Sequence, residues 1–253
     1  MQEKQTVHVL YKNLGETPHE AVLRFKKEHP EYADEPMTYA GRLDPMAEGL
    51  LLVLSGDVVD EKEKYLDLPK TYETEILWGF ETDTLDVLGI VESRKLKVES
   101  VNEEDIKKYL KNLIGKFEQK YPAYSSKPVS GKPLFQWARE GKLDQIQIPS
   151  HQVKVVNAEY ISRRSITKIE LMKSIEEKVG LVSGDFRQKE ILEKWKDILS
   201  KVPFDSYSID TITMAVSSGF YVRQFVSDLA ESFGVKAITF HITRVKIGDY
   251  DLK

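Results

Sequence analysis

The chain has no cysteine among its 253 residues. That excludes a disulfide framework, a thiolate metal site and a cysteine nucleophile. Histidine is sparse, five scattered copies. No apolar run approaches the length needed to cross a bilayer. The opening residues, MQEKQTVHVL, are charged and lack the apolar core of a signal peptide. There is no overall basic excess either: the net charge is −4, unlike the usual footprint of a nucleic-acid binder. What is left is an ordinary globular composition, 41% hydrophobic and 31% charged, in a chain long enough to bury a full core as one large domain or two small ones. A cytoplasmic enzyme with no membrane partner is the expectation.

The distribution of charge says more than its sum. Residues Lys116 to Lys142 carry six basic side chains against Glu118 and Glu140. Lys154 to Lys173 carry five against Glu159 and Glu170. The acid gathers elsewhere, with five acidic residues against two lysines in Asp57 to Asp67. A basic face on an acidic protein suits a polyanion partner.

Periodicity predicts strands at Val7–Tyr11, Leu50–Leu54, Tyr72–Phe80, Val153–Ser162, Ser165–Met172, Ile209–Val216 and Ala237–Ile247. It predicts helices at His19–His29, Val101–Ile114, Leu134–Glu140, Arg187–Leu199 and Tyr221–Phe233. Thr82–Gly89 reads as a turn and Tyr121–Gly131 as an irregular loop. No repeat and no regular βαβ alternation is present. The pattern favours an α+β fold with a mainly antiparallel sheet.

Four stretches combine acidic, basic and aromatic residues with glycine. The first is "TYAGRLDPMAEGLLLVLSGD", Thr38 to Asp57. Its Asp44-Pro45 pair reads locally as a helix start, with Asp44 as cap and Gly49 as stop. The second, "KTYETEILWGFETDTLDVLG", runs from Lys70 to Gly89. Asp83 and Asp86 lie there in a hydroxyl-rich turn, where such side chains commonly cap their own backbone. The third, "QKYPAYSSKPVSGKPLFQWAREG", is Gln119 to Gly141, basic and aromatic together. The fourth, "SSGFYVRQFVSDLAESFG", is Ser217 to Gly234 and sets Tyr221 and Arg223 at a strand–helix junction.

In this order the four stretches resemble the TruB family of tRNA pseudouridine synthases, over nearly the whole chain. "GRLDPMAEGLL" is similar to the family's Gly-x-Leu-Asp-Pro-x-Ala-x-Gly signature, at Gly41, Leu43, Asp44, Pro45, Ala47 and Gly49. Lys70 and Tyr72 match its Lys-x-Tyr. Gly79, Thr82, Asp83, Thr84, Asp86 and Gly89 fit its second motif. Gln119, Pro122, Tyr124 and Ser125, followed by Ala138-Arg139-x-Gly141, fit the third, and Tyr221 and Arg223 the fourth. Near the start, Lys12, Gly15 and Thr17 echo a further motif. Each match is weak alone; in register they are specific.

The resemblance implies a pseudouridine synthase fold, a central mixed, mainly antiparallel sheet flanked by helices and RNA-binding loops. The expectation is a single catalytic domain over residues 1–253, departing from the family pattern by an insertion at 174–205 and by having no C-terminal RNA-binding (PUA-type) domain. The implied activity is isomerisation of the T-loop uridine of tRNA, with the T-arm as partner and no metal or other cofactor; the sequence gives no oligomeric signal, and a monomer is the default expectation. Asp44 would be the catalytic carboxylate, since the reaction needs one ionised in a water-poor pocket, and Arg223 its bidentate cation. Tyr72 would stack on the base and accept the C5 proton, Tyr221 would line the other side, and Ile242 would be the floor. The target base must be flipped out of its loop. Thr82, Asp83 and Asp86 in the turn, Lys127 in the basic loop, Arg139 and Lys12 are the candidates for contacts that offset that cost. Tyr39 stands where bacterial members have a histidine that assists flipping. Two other readings keep part of this: a synthase acting on ribosomal RNA, and a non-catalytic tRNA-binding or folding protein. An Asp/Glu glycoside hydrolase is the enzymatic rival and would need Asp86 or Glu48 as general acid.

Overall fold

The apolar run Leu50–Leu54 is fully buried on both faces. That is why it shows no polar alternation. It lies in a strand longer than predicted, and this strand sits near the middle of the fold. The structure, a computed structural model, describes residues 6–93 and 101–251; the first five residues of the charged opening fall outside it.

In chain order the elements are β1 (Thr6–Lys12), α1 (Pro18–Glu28), β2 (Met37–Ala40), β3 (Ala47–Ser55), α2 (Lys62–Leu66) and β4 (Lys70–Trp78). Two short strands, β5 (Glu81–Thr82) and β6 (Val91–Ser93), flank the Asp-rich turn. Then come α3 (Glu103–Leu113), β7 (Gly115–Lys120), the small hairpin β8 (Pro128–Val129) and β9 (Lys132–Pro133), and α4 (Leu134–Arg139). The long strand β10 (Ser150–Thr167) leads into α5 (Lys168–Gly180) and α6 (Gln188–Lys201), and β11 (Ser206–Val216) returns. Then follow α7 (Val222–Ser232), β12 (Ala237–Ile247) and β13 (Tyr250–Asp251).

The main sheet runs β1-β3-β12-β4-β11-β10-β7, with β2 paired to β3 and β13 to β12. Among the described strands of this sheet, only β3 and β12 pair in parallel; the other pairs are antiparallel. The α+β class and the mainly antiparallel mixed sheet are thus as expected.

Strand alternation sends neighbouring residues to opposite faces. In β4, Ile76 and Trp78 join Phe225, Val226 and Leu229 of α7 and Ile106 of α3 in one core. Leu77, between them, faces the other core with Leu171 and Ile175 of α5 and Ile191, Trp195 and Leu199 of α6. The i, i+4, i+8 spacing of these last three is one helix stripe. Each such side chain contributes roughly 1.5–3 kcal/mol by leaving water.

Two predicted elements are corrected. Ser165–Met172 is not a second strand: β10 continues to Thr167 and α5 starts at Lys168. Thr167 and Glu170 form a capping box, the Thr-x-x-Glu signature of a helix start. The alternating Ile169 is 82% exposed, while Leu171, Ile175 and Val179 carry the buried face. The 174–205 segment is accordingly most of a helical hairpin, α5 and α6, on one face of the sheet. Asp44-Pro45 starts no helix either. It makes a turn in which the Ala47 amide donates to the Asp44 carbonyl at 3.0 Å, and β3 begins at once because Ala47 pairs with Ile242. Gly49 lies inside β3 at φ +108, where a Cβ would collide with the Arg244 carbonyl. It permits close strand approach rather than stopping a helix.

Candidate active site

Asp44 sits on the loop between β2 and β3, and its position is set from two sides. Arg244 of β12, almost wholly buried, donates through Nε to the Leu50 carbonyl (2.8 Å) and through its two terminal nitrogens to the carbonyls of Arg42 and Gly41 (3.4 and 3.3 Å). This ties the loop to the sheet. From the other side Arg223, in the first turn of α7, donates through Nε to Asp44 Oδ2 at 2.7 Å. Arg223 is 5% exposed at its side chain and Asp44 43%. The cation is sealed in and the carboxylate faces open space.

Arg223 does not fork onto Asp44, as the sequence suggested. Nη1 donates to the Thr84 carbonyl (2.6 Å) and Nη2 to the Tyr124 carbonyl (3.1 Å). One guanidinium therefore ties together three segments distant in sequence: the signature loop, the Asp-rich turn and the basic aromatic loop. Asp86 Oδ2 lies 3.8 Å from Nε, so two carboxylates share one cation. Asp86 is buried and accepts from the Thr84 hydroxyl (2.6 Å) and the Leu88 amide (3.0 Å). Burial pushes its carboxyl up to about 6; Arg223 and these hydrogen bonds pull against the rise, and the Asp44 charge adds to it.

A cavity of about 410 Å³ opens in front of Asp44. Tyr72, Tyr221, Arg223 and Ile242 all line it. Tyr72 reaches it from the third position of β4, and its hydroxyl interacts with Arg244. Tyr221 is pinned by the buried amide of Gln119, which accepts from its N–H (2.9 Å) and donates to its carbonyl (3.1 Å). Its ring stands edge-on to Tyr121, centroids 5.5 Å apart. Burial pushes the Tyr221 phenol up to about 12, so it is neutral at physiological pH. Ile242 supplies an apolar wall from β12. Across the mouth, Arg42 donates to the Ser126 hydroxyl at 2.6 Å.

Other predicted contacts are placed elsewhere. Lys12 is fully buried, and its ammonium donates to the carbonyls of Ala47 (2.5 Å) and Asn13 (2.9 Å). It supports β3 and does not reach the cavity; burial draws it down to about 8. Tyr39 packs with Ala21, Val22, Leu51 and Val53 under α1, its ring 5.6 Å from the Lys62 ammonium. A residue at this β2 position faces that cluster, so Tyr39 is a packing residue. Thr82 is buried and donates to the Asp86 carbonyl (2.7 Å). Asp83 accepts from the Ile90 amide (2.8 Å), the Tyr124 hydroxyl (2.8 Å) and Arg187 (2.6 Å). These two hold the turn rather than present it outward. Leu85 within the turn adopts φ +64, a strained conformation; its carbonyl accepts from the Thr239 amide at 3.0 Å. Lys127 lies over the Tyr121 ring at 5.1 Å, and Arg139 lines a second cavity beside Asp44.

Three cations of the basic stretch Lys154–Lys173 have partners within the chain. Arg163 is paired with the fully buried Asp210 (2.7 Å) and Arg164 with Glu75 (2.9 Å). Lys168 donates to the Val202 carbonyl (3.0 Å).

Two buried cations of the cavity were not among the site candidates. Lys70 and Arg244 both line the cavity and are buried. Burial, with Arg244 nearby, draws Lys70 down to about 8. A signal existed: Lys70 shares a motif with Tyr72, and Arg244 stands within a predicted strand, where a buried charge must find internal partners.

Residues 32–179 match the TruB family pseudouridylate synthase N-terminal domain. A protein from Bacillus pumilus named tRNA pseudouridine synthase B is 30% identical over 247 residues, covering 97% of this chain and 66% of that protein. Its namesake in Bacillus subtilis is 28% identical with the same coverage. The chain thus spans about two-thirds of the length of these relatives. Among solved structures, a Cbf5–Nop10–Gar1 complex aligns with a TM-score of 0.59 at 17% identity, over 98% of this chain and 50% of the matched one. An H/ACA RNP bound to a substrate RNA containing 2′-deoxyuridine aligns at 0.55 and 16%, over 98% and 49%. These two likenesses show the fold. The family match and the signature around Asp44 together place this chain in the TruB family of pseudouridylate synthases.

Proposed function

We propose that this protein converts a uridine in the T-loop of tRNA to pseudouridine, with Asp44 as the catalytic carboxylate. The observation that carries the reading is the Asp44–Arg223 pair: a half-exposed carboxylate, held by a buried guanidinium, at the wall of a cavity lined by Tyr72, Tyr221 and Ile242. The relatives' name supports tRNA as the substrate and the cytoplasm as the place of work.

The reaction is an isomerisation. The C1′–N1 bond of the uridine breaks, the freed uracil turns within the cavity, and C1′ bonds to C5. The proton on C5 leaves and N1 ends protonated, so atoms balance without oxidant or metal. Asp44 either adds to the ribose or assists its deprotonation; both roles require the ionised form, and Arg223 favours it. Tyr72 stacks on the base and is placed to take the C5 proton late in the reaction. Tyr221 and Ile242 confine the uracil while it turns, which keeps the detached base from being lost. Flipping costs roughly a few kcal/mol, and the basic rim around Lys127 offsets part of that through phosphate contacts.

The test uses an unmodified tRNA transcript tritiated at C5 of uridine. Wild type is expected to release tritium and to leave a carbodiimide-reactive stop at the T-loop uridine, while Asp44→Asn releases none yet binds the RNA within a few-fold of wild type. Tight binding without release by wild type would overturn the enzymatic reading in favour of a binding protein. Release only from a ribosomal-RNA fragment would overturn the substrate.

A further inference from the structure

A second cavity of about 280 Å³ adjoins the first and shares Asp44, Tyr124, Ser125, Ser126 and Arg223 with it. Its far wall is built by the α5–α6 hairpin. Phe186 and Arg187, in the link between these helices, face Phe135 and Arg139 of α4 across it. The link is held at every turn. Arg187, at φ +62, donates to Asp83 at 2.6 Å, and its guanidinium lies 5.2 Å from the Tyr124 ring centroid. The Gln188 amide donates to the carbonyls of Val182 (3.1 Å) and Gly184 (2.7 Å) and accepts from the Phe186 amide (3.0 Å). Ser183 donates to Glu20 of α1 at 2.7 Å. The wall is preorganised, which lowers the ordering cost of binding.

Two features point to a ligand. Ser125 is buried where the cavities meet, and among the described residues its hydroxyl has no hydrogen-bond partner. Buried hydroxyls are rarely left unmet, so one at a cavity seam asks for a polar atom from outside. Arg139, exposed at the rim, has among the described residues a single long hydrogen bond, 3.4 Å to the Asp185 carbonyl. Its charge remains available, unlike that of Arg187. Two aromatic rings, an unmet hydroxyl and an available cation together suit a nucleotide: a flat base, a polar edge and a phosphate.

We propose that this second cavity receives the nucleotide next to the target uridine, its base against Phe135 and Phe186 and its phosphate toward Arg139, with the Ser125 hydroxyl bonding at the junction. The proposal rests on the reading of the chain as a uridine isomerase acting on a continuous RNA strand. It assigns the α5–α6 hairpin a purpose: to extend recognition by one base beyond the base that reacts.

Tritium release is measured on stem-loop RNAs carrying the target uridine, with an abasic residue at each neighbouring position in turn. Wild type, Phe186→Ala, Phe186→Tyr and Arg139→Ala are compared. At one neighbouring position the abasic change is expected to raise KM for wild type by roughly 5- to 150-fold, the range of base–aromatic stacking, with kcat changed much less. Phe186→Ala is expected to lose most of that sensitivity, and Phe186→Tyr to keep it. Replacing the phosphate there by methylphosphonate is expected to weaken wild type but not Arg139→Ala; Arg139 is exposed, so this second pair does not depend on a core substitution. Equal abasic and methylphosphonate penalties in wild type and variants would overturn the subsite, as would no penalty at either neighbour. Absence of release by wild type from the intact RNA would overturn the activity reading instead.

Discussion

The two sides of Asp44 are built by different means. On the first-cavity side the walls come from the sheet and the loops that close it: Tyr72 from β4, Ile242 from β12, and Tyr221 just before α7. Arg223 and Arg244 there are buried and saturated by carbonyls and a carboxylate, while Arg42 at the mouth is exposed. On the second-cavity side the wall is a link between two helices, held by polar contacts of partly exposed residues such as Arg187 and Ser183. The difference teaches where precision is needed. Chemistry requires a carboxylate held to a few tenths of an ångström, and buried multiply bonded groups supply that. Recognition of a neighbouring base tolerates more, and a polar-stapled loop suffices.

The comparison can be broken first at Arg223. Arg223→Ala leaves Asp86 buried beside no cation, a change expected to cost about 3–5 kcal/mol. Turnover should fall on the order of a hundredfold or more, read by urea denaturation and tritium release. Next is Trp195→Ala in α6, which empties the core that carries the second wall. About 3–5 kcal/mol of stability should go, with RNA affinity lost more than kcat in whatever stays folded at low temperature.

Asp86 offers a sharper cut. Its carboxyl moves from an ordinary 3.8 to about 6 in the folded chain. Well below pH 3.8 both states are protonated and nothing is lost. Between about 4 and 6 the unfolded chain releases a proton that the folded chain keeps, so stability falls as pH rises, then levels off above 6. Asp86→Asn lacks this titration. Its stability relative to wild type should rise by on the order of 2–3 kcal/mol between pH 4 and pH 7. A difference independent of pH would show that burial does not raise the Asp86 carboxyl in the folded chain. The smallest effect is at the rim: Lys127→Ala should weaken RNA binding slightly and reduce the salt slope by about 1, measured by fluorescence anisotropy at several salt concentrations.

Much of this molecule was legible from its residues. The Ala237–Ile247 strand, the α1 and α7 helices and the α+β class follow from local periodicity, because a strand or helix half-buried in a core must carry that period; the Leu50–Leu54 run follows from its unbroken apolar character, as a strand buried on both faces requires. The motif order also marked Asp44, Tyr72, Tyr221 and Arg223, which the structure brings to one cavity. Less legible was the start of α5, since Ser165–Met172 alternates like a strand while the Thr167–Glu170 capping box specifies a helix. Burial of Leu171 against the sheet decides in favour of the helix.

Lys12, Tyr39, Thr82 and Asp83 show the limit of motif reasoning. A motif says that a residue type matters at a position, not whether its side chain faces a ligand or its own backbone. That is decided by which segments meet in space. No local pattern could tell that Arg223 divides its bonds among Asp44, Thr84 and Tyr124, or that Arg187, far along the chain, reaches Asp83. Local sequence determined the elements, since hydrogen bonding and apolar period act over a few residues. Tertiary structure alone decided the partners of each charge, because a buried ion is stabilised by whatever the fold brings within a few ångströms of it.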